Sequence, residues 1–251
     1  MAAKKPARPT KKAAKKPAAD VAVAKPAVAV SPVAVVPVVD HAARVAESWR
    51  RLEVWVAAFG GPPLALNSGA AEKSIAAAEK TMKLAFPPDF RASLLQHDGQ
   101  ATSASADQRS FPWMPGCPPL APLARIVERW QEEQDLAGKK PPRPDPLDGI
   151  GKLKVGLHRS GRIPIAGSPR WDSGRTLLDL DPGRAGVGGQ LLTMVNKADF
   201  VVIDVSFAAA LERWVAVLER GLWSYDRDTH AVHPRALAPS ASHPAGLFSK
   251  R

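Results

Sequence analysis

Asp179 and Asp181 are the first residues in this chain whose spacing suggests chemistry. Two positions apart in the β-branched and Leu-rich run 176–181, they fall on one face of a strand. Paired carboxylates could hold a divalent cation, or divide acid and base work within a cleft. No third ligand accompanies them and a Pro182-Gly183 turn follows, so solvent-facing strand alternation is the simpler reading. His230 and His233 have half of a metal-site spacing, but Pro234 follows and the surroundings read as a polar tail. His97 ends a helix, where an imidazolium would interact well with the C-terminal dipole, a structural role. Cys117 is the only cysteine, set in Pro115-Gly116-Cys117-Pro118-Pro119. With no His beside it and no cationic setting, its thiol stays protonated. The sequence has no Gly-rich phosphate loop, serine elbow or HExxH motif. These residues predict no catalytic centre, no metal site, no cofactor and no small-molecule ligand.

Two segments predict binding instead. The chain of 251 residues carries a formal charge of +11. Residues 1–39 hold eight basic side chains against Asp20 alone, a net +7 that leaves +4 for residues 40–251. Lys4, Lys5, Arg8, Lys11, Lys12, Lys15 and Lys16 form a cationic arm suited to a polyanion through counterion release, as linker-histone tails are. Such an arm binds nucleic acid without reading its bases. The second segment is 168–174, where Trp171 lies in a turn between Arg170 and Asp172. An indole flanked by opposite charges has the composition of an interface anchor, with Arg175, Asp179 and Asp181 continuing that face.

The elements that must position these residues follow from periodicity. Residues 1–19 contain only Met, Ala, Lys, Pro, Arg and Thr, and residues 20–39 are Val/Ala/Pro-rich. Neither stretch can offset the entropy of ordering, so 1–39 reads as a disordered tail on a semi-rigid spacer. Lys25, Pro26, Pro32 and Pro37 interrupt the only long apolar run, which excludes a spanning helix there and spoils it as a secretion signal. A reducing, cytoplasmic compartment is expected, with nucleoid association if the arm is engaged.

Asp40 is an N-cap for a helix whose stripe is Val45, Trp49, Leu52, Val56 and Phe59, ended by Gly60-Gly61-Pro62-Pro63. A second helix is expected from about Ser68 to Ala85, a third from Pro88 to Gln96, and a fourth over Leu120–Leu136 with Trp130 in its stripe. Residues 100–112 and 139–146 read as loops. Strands follow at 163–166, 176–181, 191–195 and 200–205, with Pro182-Gly183 and Gly188-Gly189 as turns. Ser206 caps a last helix that buries Phe207, Leu211, Trp214, Leu218 and Leu222. The expected fold is α+β, an antiparallel sheet of about four to six strands with helices packed on one side. The expected boundaries are a tail at 1–39, one domain at 40–225, and a disordered C-terminal tail at 226–251.

Several segments, taken in order, resemble the SUKH superfamily. The first runs from Ala76-Ala77-Ala78-Glu79 to Leu84, through Phe86-Pro87-Pro88-Asp89-Phe90-Arg91, to Leu94-Leu95-Gln96-His97-Asp98-Gly99. It is similar to the family's helix, its Pro-x-Asp-aromatic turn and its His-Asn-Gly helix stop. Ile163-Pro164-Ile165-Ala166-Gly167 resembles the first core strand. Leu177-Leu178-Asp179-Leu180-Asp181-Pro182, with Gly189-Gln190-Leu191 after the turn, resembles the next pair. Val205-Ser206-Phe207 with Leu211 resembles the opening of the final helix. The resemblance covers about Trp49 to Leu222. Two positions depart from it: Arg162 stands where members often have tryptophan, and Arg170-Trp171 replaces an acidic, Gly-rich loop.

That superfamily includes a fungal cell-wall-assembly regulator and many bacterial immunity proteins of toxin systems. The resemblance therefore implies a non-enzymatic, protein-binding module whose partner is a toxin domain. Inhibitors of nucleases are expected to be acidic, so the net positive domain here points to an acidic or non-nuclease toxin. The cationic arm supports another reading, a nucleic-acid-associated adaptor. Analogy with the fungal regulator supports a third, a role in wall assembly.

Overall fold

The computed structural model of the protein describes residues 40–101, 110–137, 151–156, 158–168, 174–195, 199–226 and 231–234. The basic arm and the Arg170-Trp171-Asp172 turn lie outside these residues. In chain order the elements are α1 (His41–Phe59), α2 (Glu72–Met82), α3 (Pro88–Gln96), α4 (Leu123–Ala137), β1 (Arg162–Gly167), β2 (Arg175–Asp179), β3 (Gln190–Val195), β4 (Asp199–Asp204), α5 (Phe207–Glu219), β5 (Trp223–Asp226) and β6 (Ala231–Pro234).

The helices begin where the sequence places their caps. Asp40 accepts a hydrogen bond from Ala43 N at 2.9 Å, and Gly60 closes α1 in the left-handed conformation. Val45, Trp49 and Leu52 are wholly buried along the stripe. Ser206 accepts from Ala209 N at 3.2 Å to open α5. The second helix starts later than its composition suggests. Residues 67–70 run beside the end of α3 instead, with Ala70 N donating to Leu94 O at 2.8 Å and Asn67 N to Gly99 O at 3.0 Å. Gly69 permits that approach, since a Cβ there would lie 1.8 Å from the carbonyl oxygen of Leu95. Backbone pairing with a neighbour outweighs helix propensity at 68–71. The fourth helix likewise starts three residues late, because Leu120 bridges to Ala166 of β1.

The strands form an antiparallel meander in the order β1-β2-β3-β4, making the fold α+β. Ile163, Leu178 and Leu191 align across one face, all fully buried beneath the helices. Pro164, Leu177, Leu192 and Val202 align on the other. Part of the loop expected at 100–112 turns inward: Phe111 is fully buried, as are Trp113 and Met114 just beyond it, and Trp113 stacks on Phe207 at 5.5 Å. The domain boundary expected at 225 falls inside a hairpin, β5 with β6, and Trp223 packs edge-on against Trp214 at 5.5 Å. Trp130 is only half-buried, and its indole N–H donates to Ser160 O at 2.9 Å.

Candidate protein-binding face

The second sheet face carries the residues read as candidate chemistry, and a strap covers it. Residues 151–156 and 158–161 cross this face, with Leu153 packed among Leu177, Leu192 and Phe200. The strap lies close because the β2–β3 turn is rich in glycine. A Cβ on Gly183 would stand 2.2 Å from Gly151 O, and one on Gly186 2.4 Å from Lys152 O. Lys152 O accepts from Gly183 N at 2.9 Å and from Gln190 Nε2 at 3.0 Å. Arg162 donates to Lys154 O at 2.7 Å and to Gly156 O, and its guanidinium lies over the Phe200 ring at 5.1 Å. Arg162 thus replaces an aromatic side chain with one that both packs and satisfies the strap's carbonyls.

Beneath the strap, Asp179 is fully buried, which corrects the solvent-facing reading of that residue. Gln190 Nε2 donates to its Oδ2 at 3.0 Å and Asp181 N to its Oδ1 at 3.2 Å. Burial pushes the Asp179 carboxyl above the usual range, against the pull of Arg162 and of the Gln190 and Asp181 donors. Asp181 lies past the end of β2 and is half-exposed, bound by Lys154 and by Arg159 at 2.7 Å. Those two cations hold its carboxyl below the usual range. The two aspartates therefore have separate partners. Among the described residues, no group of three or more acidic, His or Cys side chains could hold a metal ion.

Arg175 is drawn inward. Its guanidinium meets Glu133 of α4, which Arg129 also contacts at 2.6 Å and His158 of the strap closes over. Burial lowers the Arg175 pKa from its ordinary value, and the neighbouring Arg129 adds to this. Glu133 was missed in the sequence although its position was informative. It follows Leu123, Ile126 and Trp130 along one stripe of α4, where a carboxylate must bring its counter-charges with it.

Two other candidates are structural. Cys117 is buried, and its thiol is pushed up to about 11 by desolvation. His97 caps α3 with its ring edge-on to Trp49 at 5.4 Å. His233 is exposed on β6, while His230 lies outside the described residues. No helix among the described residues is long and apolar enough to cross a membrane.

The model of the SMI1 / KNR4 family (SUKH-1) matches residues 69–213, more than half of the chain. The chain belongs to this family. No curated protein matches it. SUKH-1 domains are of the immunity and regulatory type and are generally non-catalytic. The match begins after α1 and ends within α5, yet α1 contributes Val45, Trp49 and Leu52 to the same core.

The family segments prove to be ties between elements. Asp98 accepts from Leu123 N at 2.5 Å, so the stop of α3 is also the start of α4. Gly99 has φ +69°, and a Cβ there would lie 2.6 Å from Ala121 C. Gly189, at φ +86°, sits where a Cβ would be 3.2 Å from Pro87, bringing the β2–β3 turn against the start of α3. SUKH-1 motifs in this chain hold the frame, while segment 168–174 departs from the family pattern.

Proposed function

We infer that this chain is a non-enzymatic, protein-binding SUKH-1 module of a bacterial toxin system, its partner a toxin domain. The family match over residues 69–213 carries this reading. Further support comes from the polar residues that could have done chemistry. Asp179, Asp181, Arg175 and Cys117 are each engaged in packing or ion pairing that serves the fold.

The test uses toxin domains encoded beside this gene, whose absence would itself count against the reading. Co-expression should protect the host from growth arrest, and the purified chain should form a complex that Trp171→Ala weakens without lowering its own denaturation midpoint. Unchanged arrest together with no complex would overturn the reading.

The cationic arm favours a second, compatible activity, docking on nucleic acid. With seven basic side chains between Lys4 and Lys16, log K for duplex DNA should fall against log salt with a slope of roughly −6. Removing residues 1–39 should abolish that binding. Equal gel shifts with and without the arm would exclude it.

A further inference from the structure

Helices α2 and α4 lie side by side, and between them runs a groove of about 620 Å³, lined by Ala70, Ser74, Ala77, Thr81, Ala124 and Val127 among others. Side chains this small let a third helix settle at about 8 Å between axes, the near end of the range for packed helices. The acids nearest the groove are already engaged. Asp98, which also lines it, accepts from Leu123 N at 2.5 Å. Glu128, one turn beyond Ala124 on α4, meets Arg125 at 2.5 Å.

The α2 rim is cationic. Lys73 stands four residues before Ala77 and Lys80 three after it, so both flank that residue, and both are exposed. The carboxylates of the same helix turn toward α3 instead. Glu72 binds Arg91, while Glu79 lies 3.8 Å from the same guanidinium and accepts from Phe86 N at 2.9 Å. Among the described residues Lys73 and Lys80 therefore have no ion-pair partner. Lys80 suits the last turn of α2, where the helix dipole favours a cation. Lys73 does not, because it follows Glu72 in the first turn, where the dipole opposes positive charge. Its charge is set against the preference of its own helix, as happens where a residue serves something beyond the fold.

We propose that the α2–α4 groove docks an acidic α-helix of the protein partner, with carboxylates seven residues apart on Lys73 and Lys80. The proposal rests on the protein-binding reading above and names the surface and the partner's chemistry. The two lysines lie ~10.5 Å apart along α2, and the same spacing recurs on any helix laid alongside. Their unopposed charge complements an acidic face. A nucleic-acid backbone fits this groove less well, since Ala70, Ala77, Ala124 and Val127 give its phosphates no side-chain donor.

The probe is a stapled, alanine-based helix with glutamates seven residues apart, titrated into the full ¹⁵N-labelled chain, with its glutamine counterpart as control. We expect saturable shifts at Ala70, Ser74, Ala77, Ala124 and Val127, and binding at least about threefold tighter for the glutamate helix. Lys73→Gln combined with Lys80→Gln should remove that preference and leave the denaturation midpoint unchanged. Ala77→Leu, filling the floor, should block both helices. Residues 1–39 also attract acids, so location decides. Shifts confined to that arm, equal affinity for the two helices, or an intact preference in the double variant would overturn the groove. So would duplex DNA that shifts these amides where the acidic helix does not. A toxin that binds wild type and the double variant equally would sink the groove and leave the module reading intact. Helix binding with no toxin complex would do the reverse.

Discussion

The carboxylate of Asp89, in the first turn of α3, caps α5 from 119 residues away: its Oδ2 accepts from Ala208 N at 2.9 Å. Its Oδ1 accepts from Phe90 N at 2.8 Å, and the side chain is almost fully buried. One residue thereby joins the start of α3 to the start of α5, whose first turn Ser206 also caps. A helix N-terminus leaves several N–H groups without intrahelical partners, and here two side chains from different elements satisfy two of them.

Asp89→Ala should therefore cost more than an exposed cap does. Two buried N–H groups lose an acceptor, and the expected loss is about 2–4 kcal/mol in urea denaturation. Ser206→Ala, removing the more exposed cap, should cost about 1 kcal/mol. Equal midpoints for the two variants would mean that Asp89 has no linking role.

Gly99 and Gly151 separate two reasons for requiring glycine. Both have φ +69°, but a Cβ on Gly99 would meet the backbone of Ala121 and Pro122 at 2.6 Å, while one on Gly151 would meet nothing within 4 Å. Gly151→Ala should cost about 1 kcal/mol, the conformational part alone. Gly99→Ala must also push α4 away from the end of α3, so it should cost at least about 2 kcal/mol more. Denaturation midpoints that move together would show the α3–α4 junction to be more compliant than its contacts indicate.

How much of this was legible in the sequence depends on whether a local signal existed. The caps Asp40 and Ser206, the four strands of the sheet and the stripes of α1 and α5 were read from spacing, because period and cap chemistry act within a few residues. The strap over the second sheet face was not. Its anchors, Leu153, Lys154, His158 and Arg159, show no periodicity, and their partners lie on α4, on β2–β4 and just beyond β2. Without the strap, Asp179 reads as a surface residue; with it, the same residue is fully buried. Phe111, Trp113 and Met114 carried a signal in composition, since three large apolar residues among prolines seldom stay exposed. Among the candidate binding residues, spacing correctly grouped Arg175 and Asp179 on one face but could not say which way they were occupied.

Cys117 makes a chemical prediction. Its thiol, pushed from 9.0 to about 11, should hold about a hundredfold less thiolate at pH 8 than an unperturbed cysteine. The sulfur is also enclosed, so alkylation by iodoacetamide should be slowed by at least that factor in the folded chain and restored in denaturant. Fast labelling of the native protein would contradict both its burial and the structural role assigned to it.

Asp204 gives the pH dependence of stability a sign. It is buried at the end of β4, where Oδ1 accepts from Val205 N at 2.7 Å and Arg213 lies 2.8 Å from Oδ2. Burial raises its carboxyl above the ordinary 3.8, while the Val205 N–H and Arg213 pull it down and Glu212 adds to the rise. The folded state therefore binds this proton more tightly than the unfolded chain does. Its contribution to stability is fully present below pH 3.8 and is lost as pH rises through the higher folded value. Asp204→Asn keeps an oxygen to accept from Val205 N and removes the titration, and Arg213, nearly half-exposed, can turn to water. The variant should therefore gain stability relative to wild type between pH 3.5 and pH 7, as read from urea midpoints at both. A difference that stays constant, or shrinks with rising pH, would show that Arg213 and Val205 outweigh burial at this carboxylate.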